Sequence, residues 1–211
     1  MKPGWIARQS RRPSGWLGEV VARVMARETR AANAFALSQL RAEPHHDVLE
    51  VGCGPGRSLE QLARRHGAGF VAGIDPSDVM VRLATRRLRG QIERGNVDVR
   101  RAEAARLPFE PARFDAALAV HVLYFWPDAS VELREIRRVL RLGGVLVIGF
   151  RPDDPGARAS LPGSVYHLRS ASALEKLLRE TGFDEVEVAT TNLGRIPFVC
   201  LRARVATAGV I

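Results

Sequence analysis

The stretch VLEVGCGPGRSLEQLA, residues 48–63, constrains this chain more than any other. A short run of buried-strand residues stops at Gly52, Gly54 and Gly56, and a helical pattern resumes at once. Glycine loses more backbone freedom on folding than any other residue, so three within five positions need a reason. One reason is a tight strand-to-helix turn that merely packs. The other is a turn that lets a ligand approach bare backbone.

The same alternation runs on through the chain. DVLEVG, GFVAGID, VDVRRAEA, FDAALAVHVLY, VLVIGF, DEVEVAT and PFVCLRARV read as strands, the central ones apolar enough to be covered on both faces. Between the first two lies the helix SLEQLARRHG, closed by Gly67. SDVMVRLATRRLRG reads as a helix capped by Ser77 with Gly90 just past its end, and SVELREIRRVLRLGG as one stopped by its glycine pair. A proline-rich insert (Pro152, Pro155, Pro162) and the helix SASALEKLLRETG precede the last two strands. No helix separates those two strands, so the final one should run antiparallel. The expected fold class is α/β: a doubly wound, mostly parallel seven-stranded sheet with an antiparallel last strand, and with ligands at the carboxyl ends of its strands. Residues 1–43 form a separate segment: a polar, flexible arm to residue 14, then a helical cap from Trp16 to Leu40. Residues 44–211 form the main domain.

The spacing of the glycines bears on the ligand. A turn that grips a pyrophosphate reads Gly-x-Gly-x-x-Gly, with the third glycine bringing the helix end close to the phosphates. Here Arg57 occupies that third place, and no Gly-Lys-Ser/Thr ending follows. Glu50 at the strand end would repel a pyrophosphate but can help bind an amine or a sulfonium. Asp75, ending the second strand in GIDPS, is placed to accept hydrogen bonds from two ribose hydroxyls; its bland alternative is a helix cap, a role Ser77 already offers. Together these features describe a nucleoside with a cationic amino-acid tail and no phosphate.

VLEVGCGPGRS, GIDPS, AEAARLPFE, FDAALAVHVLYFWPD and LREIRRVLRLGGVLVIGF occur in that order. In them the chain, over roughly residues 44–206, resembles the class I S-adenosylmethionine-dependent methyltransferases with their Rossmann-like fold. The likeness is to the small-molecule branch that includes quinone-biosynthesis enzymes. The resemblance implies S-adenosylmethionine as cofactor and a small or lipid-like methyl acceptor. It places Gly52, Gly54 and Gly56 under the methionyl group and ribose, Glu50 at the loop or the amino group, and Asp75 on the ribose hydroxyls. Pro76 and Met80 would flank the adenine, although a helical methionine is as often core. Where the family has Gly-Asp-Ala, this chain reads Ala102, Glu103, Ala104, so Glu103 would receive the adenine amino group with one extra methylene. His121 would line the methionine end, either as a wall residue bonded to the cofactor or as a catalytic base. Tyr124, with Phe125 and Trp126, would line the acceptor pocket or cover the sheet edge. Tyr166 and His167, in the insert, are further acceptor-pocket candidates, with an ordinary surface loop as the alternative.

Composition excludes several other classes. Of 32 basic residues only Lys2 and Lys176 are lysine, and the net charge is +9. The arginines are scattered rather than blocked, which suits a solvated surface better than a nucleic-acid footprint. They leave only a hint that a ligand or visited surface is acidic. A nucleic-acid methylase is further disfavoured because strand four ends in AVHVLYFW, not an Asn/Asp-Pro-Pro-aromatic block. A cofactor-binding regulatory protein without turnover stays open as the alternative function. The two cysteines, Cys53 and Cys200, show neither metal-ligand spacing nor a disulfide framework, so no metal is expected. The Arg11–Arg12 pair near the start lacks the apolar run of an export signal, and no 18-residue apolar run spans a membrane. A cytoplasmic location is the expectation; oligomeric state has no signature.

Overall fold

The structure, a computed structural model, describes residues 9, 11–65 and 69–207. Two helices come first, α1 (Gly15–Glu28) and α2 (Arg30–Leu40). Then follow β1 (Val48–Val51), α3 (Arg57–Arg65), β2 (Val71–Asp75), α4 (Asp78–Arg87), the short α5 (Arg89–Glu93) and β3 (Val97–Arg101). β4 (Phe114–Val120) leads through a 3₁₀ turn at Leu123–Phe125 into α6 (Ala129–Val139) and β5 (Leu140–Phe150). The chain closes with α7 (Pro155–Ser160), α8 (Ala171–Glu180) and the hairpin β6 (Phe183–Leu193) and β7 (Ile196–Val205).

The strands form one seven-stranded sheet in the order β3-β2-β1-β4-β5-β7-β6. The first five pair in parallel, and β7 runs antiparallel to both β5 and β6. This is the expected doubly wound α/β sheet with its antiparallel last strand. Side chains alternate between the two faces of a strand, and the core divides accordingly. Leu49, Val51, Ile74, Ala119 and Ile148 pack with Leu133 and Ile136 of α6 and Leu174 and Leu178 of α8. Val48, Val71, Leu118 and Val147 pack on the other side with Leu59 and Leu62 of α3 and Ala32, Ala36, Leu37 and Leu40 of α2. The small face of α2 is what lets it sit close. Gly149 leaves room there, since a Cβ on it would stand 2.8 Å from Phe198 and 3.3 Å from Ala36. Among the described residues no helix is long and apolar enough to cross a membrane.

Several boundaries differ from expectation. β4 ends at Val120, four residues short of Tyr124, because His121 takes a left-handed φ of 59° that an extended strand cannot continue through. The pair Gly143–Gly144 does not stop α6, which ends at Val139. It lies in the irregular start of β5, where a Cβ on Gly144 would press on the Arg141 and Asp115 carbonyl oxygens at 2.8 and 3.2 Å. Gly90 does not close α4 but falls inside α5. The insert is partly helical: Asp154 caps α7 by accepting from the Ala157 N–H at 2.9 Å, with Pro155 at the first helical position. Gly67 lies outside the described residues. In the arm expected to be flexible, Pro13 is buried, and its carbonyl oxygen accepts a 2.6 Å hydrogen bond from Ser77 Oγ.

Candidate functional site

A cleft opens at the carboxyl ends of β1, β2 and β4, under α1, α2 and the docked arm. The glycine turn forms its floor, and its three glycines do three different things. The Gly52 and Cys53 N–H groups both donate to the Ile74 oxygen, at 2.8 and 2.9 Å, tying the turn to β2. A Cβ on Gly52 would stand 2.2 Å from Val122 Cγ1, so this glycine admits the chain leaving β4. Gly56 faces away from the cleft; a Cβ there would meet Ala84 and Leu88 at 3.0–3.1 Å, so its role is close packing of the turn on α4. Gly54 has nothing within 4 Å of its Cβ position, lines the cleft, and adopts φ 53°. Packing does not require a glycine at 54. Its absent side chain leaves bare backbone facing the cavity.

Two carboxylates flank that backbone. Asp75 accepts from the Gly54 N–H through Oδ2 at 3.0 Å and from the Ser77 N–H through Oδ1 at 2.9 Å. Burial pushes its carboxyl up to about 6, against the pull of those two amides. Asp75 does not cap α4; Ser77 does, accepting from the Met80 N–H at 3.3 Å. Glu50 is only 4% exposed, and its Oε2 has no hydrogen-bond partner. Burial pushes Glu50 up to about 8, opposed by Ser58 and the Leu59 amide and reinforced by Asp75. A buried carboxylate oxygen left open toward a cavity is costly unless a ligand satisfies it.

Further round the wall stand Pro76, Met80, Glu103 and Ala104. Met80 is both buried and cleft-lining. Glu103 is exposed and pairs with Arg12 of the arm at 3.7 Å. His121 lines the cleft beyond β4, its ring held by Tyr124, whose Oη lies 3.1 Å from His121 Nδ1 and accepts from the Arg151 N–H at 2.6 Å. Burial raises the Cys53 thiol well above its ordinary range, so it stays protonated and is no nucleophile.

The acceptor-pocket candidates divide. Phe125 and Trp126 line the cleft, whereas Tyr124 and Tyr166 are buried in the core 5.9 Å apart and His167 stands clear of the lining. The 3₁₀ turn rotates successive side chains by about a third of a turn, so Tyr124 points into the core and Phe125 into the cleft. Arg169 holds this turn in place, donating to the carbonyl oxygens of Leu123, Trp126 and Pro127. Sequence reasoning missed Thr29 and Asn33 of the helical segment, Ser58 and Glu132, all of which line the cleft. Glu132 Oε2 is a second buried carboxylate oxygen without a partner, and burial raises its carboxyl. Nothing in the local pattern of α6 distinguishes Glu132 from a surface residue.

Comparison with known proteins addresses the same segment. A family described as "Methyltransferase domain" matches residues 49–148, from the first strand through the fifth. Over that segment the chain is a methyltransferase domain, similar to the class I S-adenosylmethionine-dependent methyltransferases. It is 32% identical over 158 residues to an O-methyltransferase of Pyrenophora dematioidea, covering 72% of this chain but only 59% of that one. It is 27% identical over 183 residues to the demethylmenaquinone methyltransferase of Lactobacillus johnsonii, covering 74% and 75% of the two chains. A solved complex of the Haloferax volcanii Trm112 methyltransferase activator with a methyltransferase superposes with TM-score 0.79 at 17% identity, covering 91% of this chain and 96% of the matched chain. That last likeness establishes the methyltransferase fold alone.

Proposed function

We propose that this methyltransferase moves a methyl group from S-adenosylmethionine to a small or lipid-like acceptor. The observation that carries the proposal is the sign of the cleft. In a chain of net charge +9, Glu50, Asp75, Glu103 and Glu132 outnumber Arg11 and Arg57 around one cavity, and two of the carboxyl groups have an unpartnered buried oxygen. Such a wall rejects pyrophosphate and suits a nucleoside whose tail is cationic. In this reading Asp75 holds the ribose hydroxyls and Glu50 the amino group, over the bare backbone of Gly54. Pro76, Met80 and Ala104 enclose the adenine, and Glu103 receives its amino group. The cofactor unit comprises residues 44–211, and residues 1–43 are its arm and cap. The names of two relatives, an O-methyltransferase and a demethylmenaquinone methyltransferase, support an acceptor of small-molecule size.

S-adenosylmethionine, when bound, supplies a methyl group already activated on a sulfonium. What this chain adds is alignment and exclusion of water, worth ~7–11 kcal/mol of barrier in favourable cases. Phe125 and Trp126 form the apolar wall on the acceptor side, and Arg169 fixes their turn. His121, anchored through Nδ1 to a buried phenol, takes the acceptor's proton. The direct test incubates the protein with methyl-labelled cofactor and cell extract and identifies labelled product by mass spectrometry. Calorimetric titration with S-adenosylhomocysteine should show binding that Asp75→Ala abolishes. Undiminished binding in that variant refutes the site.

A further inference from the structure

Beside the acidic cleft runs a second groove, joined to it through Asn33, Arg57 and Ser58. Its charge is opposite. Four arginines, Arg30, Arg57, Arg64 and Arg87, face a single carboxylate, Glu60. Glu60 already serves two of them: Arg64 bonds to Oε1 at 2.9 Å and Arg87 to Oε2 at 3.3 Å. Arg87 is committed further, donating through Nε to the Pro55 oxygen of the glycine turn at 2.9 Å. Arg30 and Arg57 make no ion pair among the described residues.

These two guanidinium groups come from different helices, each from the first helical position, α2 for Arg30 and α3 for Arg57. The partial positive charge of a helix N-terminus reinforces a cation placed there in attracting an anion. Guanidinium forks match the geometry of carboxylate and phosphate oxygens. Neighbouring cavities of opposite sign therefore sort a cationic ligand from an anionic one.

Resting on the methyltransferase reading above, we propose that this groove binds an oxyanion of the methyl acceptor. The substrate class is then a small molecule carrying a carboxylate or a phosphate, anchored by Arg30 and Arg57 while its methyl-accepting atom reaches past Asn33 and Ser58 into the cleft.

The experiment compares wild type with Arg30→Gln/Arg57→Gln, both substitutions at exposed positions where folding is not at stake. The protein is saturated with S-adenosylhomocysteine in a buffer free of oxyanions, then titrated by protein-observed NMR with inorganic phosphate and, separately, with benzoate. Wild type should bind at least one anion in the millimolar range, the double variant at least tenfold more weakly, and both should bind S-adenosylhomocysteine equally within twofold. Response to phosphate alone assigns a phosphate ester, and response to benzoate alone a carboxylate. A tenfold loss of S-adenosylhomocysteine affinity in the variant would overturn the proposal, because the arginines would then hold the cofactor's own carboxylate. So would anion binding that is absent from wild type or unchanged in the variant. If S-adenosylhomocysteine fails to bind wild type, the methyltransferase reading falls, and the same titrations on the unloaded protein still decide the groove.

Discussion

Replacing Glu50 by Gln removes a titratable group from the cleft floor while nearly preserving its shape. In the unfolded chain this carboxyl titrates near 4.5, and burial in the fold pushes it up to about 8. A carboxyl raised on folding contributes stability that is fully present below 4.5 and is lost as pH rises through about 8. At pH 7 the folded protein must take up a proton that the unfolded chain has released. That pH lies roughly 2.5 units above 4.5, and each unit is worth about 1.36 kcal/mol, so the cost is about 3 kcal/mol. Gln carries no such cost, although its amide is left with a donor lacking a partner, which returns roughly 1–3 kcal/mol at every pH. The decisive quantity is therefore the slope. Between pH 5 and pH 7.5 the stability of Glu50→Gln relative to wild type should rise by about 3 kcal/mol, or roughly 6–12 °C in Tm for a chain of this size. Urea denaturation of both proteins without cofactor, across that range, measures it. Parallel stability curves would refute the reasoning. The same variant should bind S-adenosylhomocysteine roughly 10- to 150-fold more weakly, the value of a charge-assisted bond, and the wild-type affinity should climb with pH toward 8.

The glycines separate packing from function. Gly52→Ala drives a Cβ to 2.2 Å from Val122 and should destabilise the fold by about 3 kcal/mol from overpacking and left-handed strain. Gly54→Ala meets open space, so denaturation should show only the strain of about 1–2 kcal/mol while calorimetry shows cofactor affinity lost. Tyr124→Phe leaves the Arg151 amide and His121 Nδ1 without their shared phenol. It should cost roughly 1–3 kcal/mol of stability and slow methyl transfer, with S-adenosylhomocysteine affinity unchanged within twofold. A parallel loss of affinity would place His121 in cofactor binding instead of catalysis.

Much of this was legible before any coordinates. The alternation of apolar runs and helical periods reported the sheet and its strand count, because each strand's composition reflects burial on two faces. The missing third glycine at Arg57 and the carboxylates at Glu50 and Asp75 argued against a phosphate. Element ends were less legible. His121 ends β4 through a backbone angle rather than a recognisable stop residue, and Gly143–Gly144 serve a strand irregularity that looks like a helix terminator.

Residue chemistry and short-range spacing thus specified the elements and the glycine turn between the first strand and its helix. What needed the folded chain was every juxtaposition between distant positions. Tyr124 and Phe125 are neighbours in sequence, yet one is core and the other cleft wall, decided by how a 3₁₀ turn lies against Tyr166, His167 and Arg169 of the insert. Glu132 reaches the cleft only because α6 packs as it does. Arg30, Arg57, Arg64 and Arg87 are spread over nearly 60 positions and gather in one groove only when α2, α3 and α4 come together around the glycine turn. Sheet order and helix packing set such meetings, and they depend on how whole faces interlock, which no local window of residues encodes.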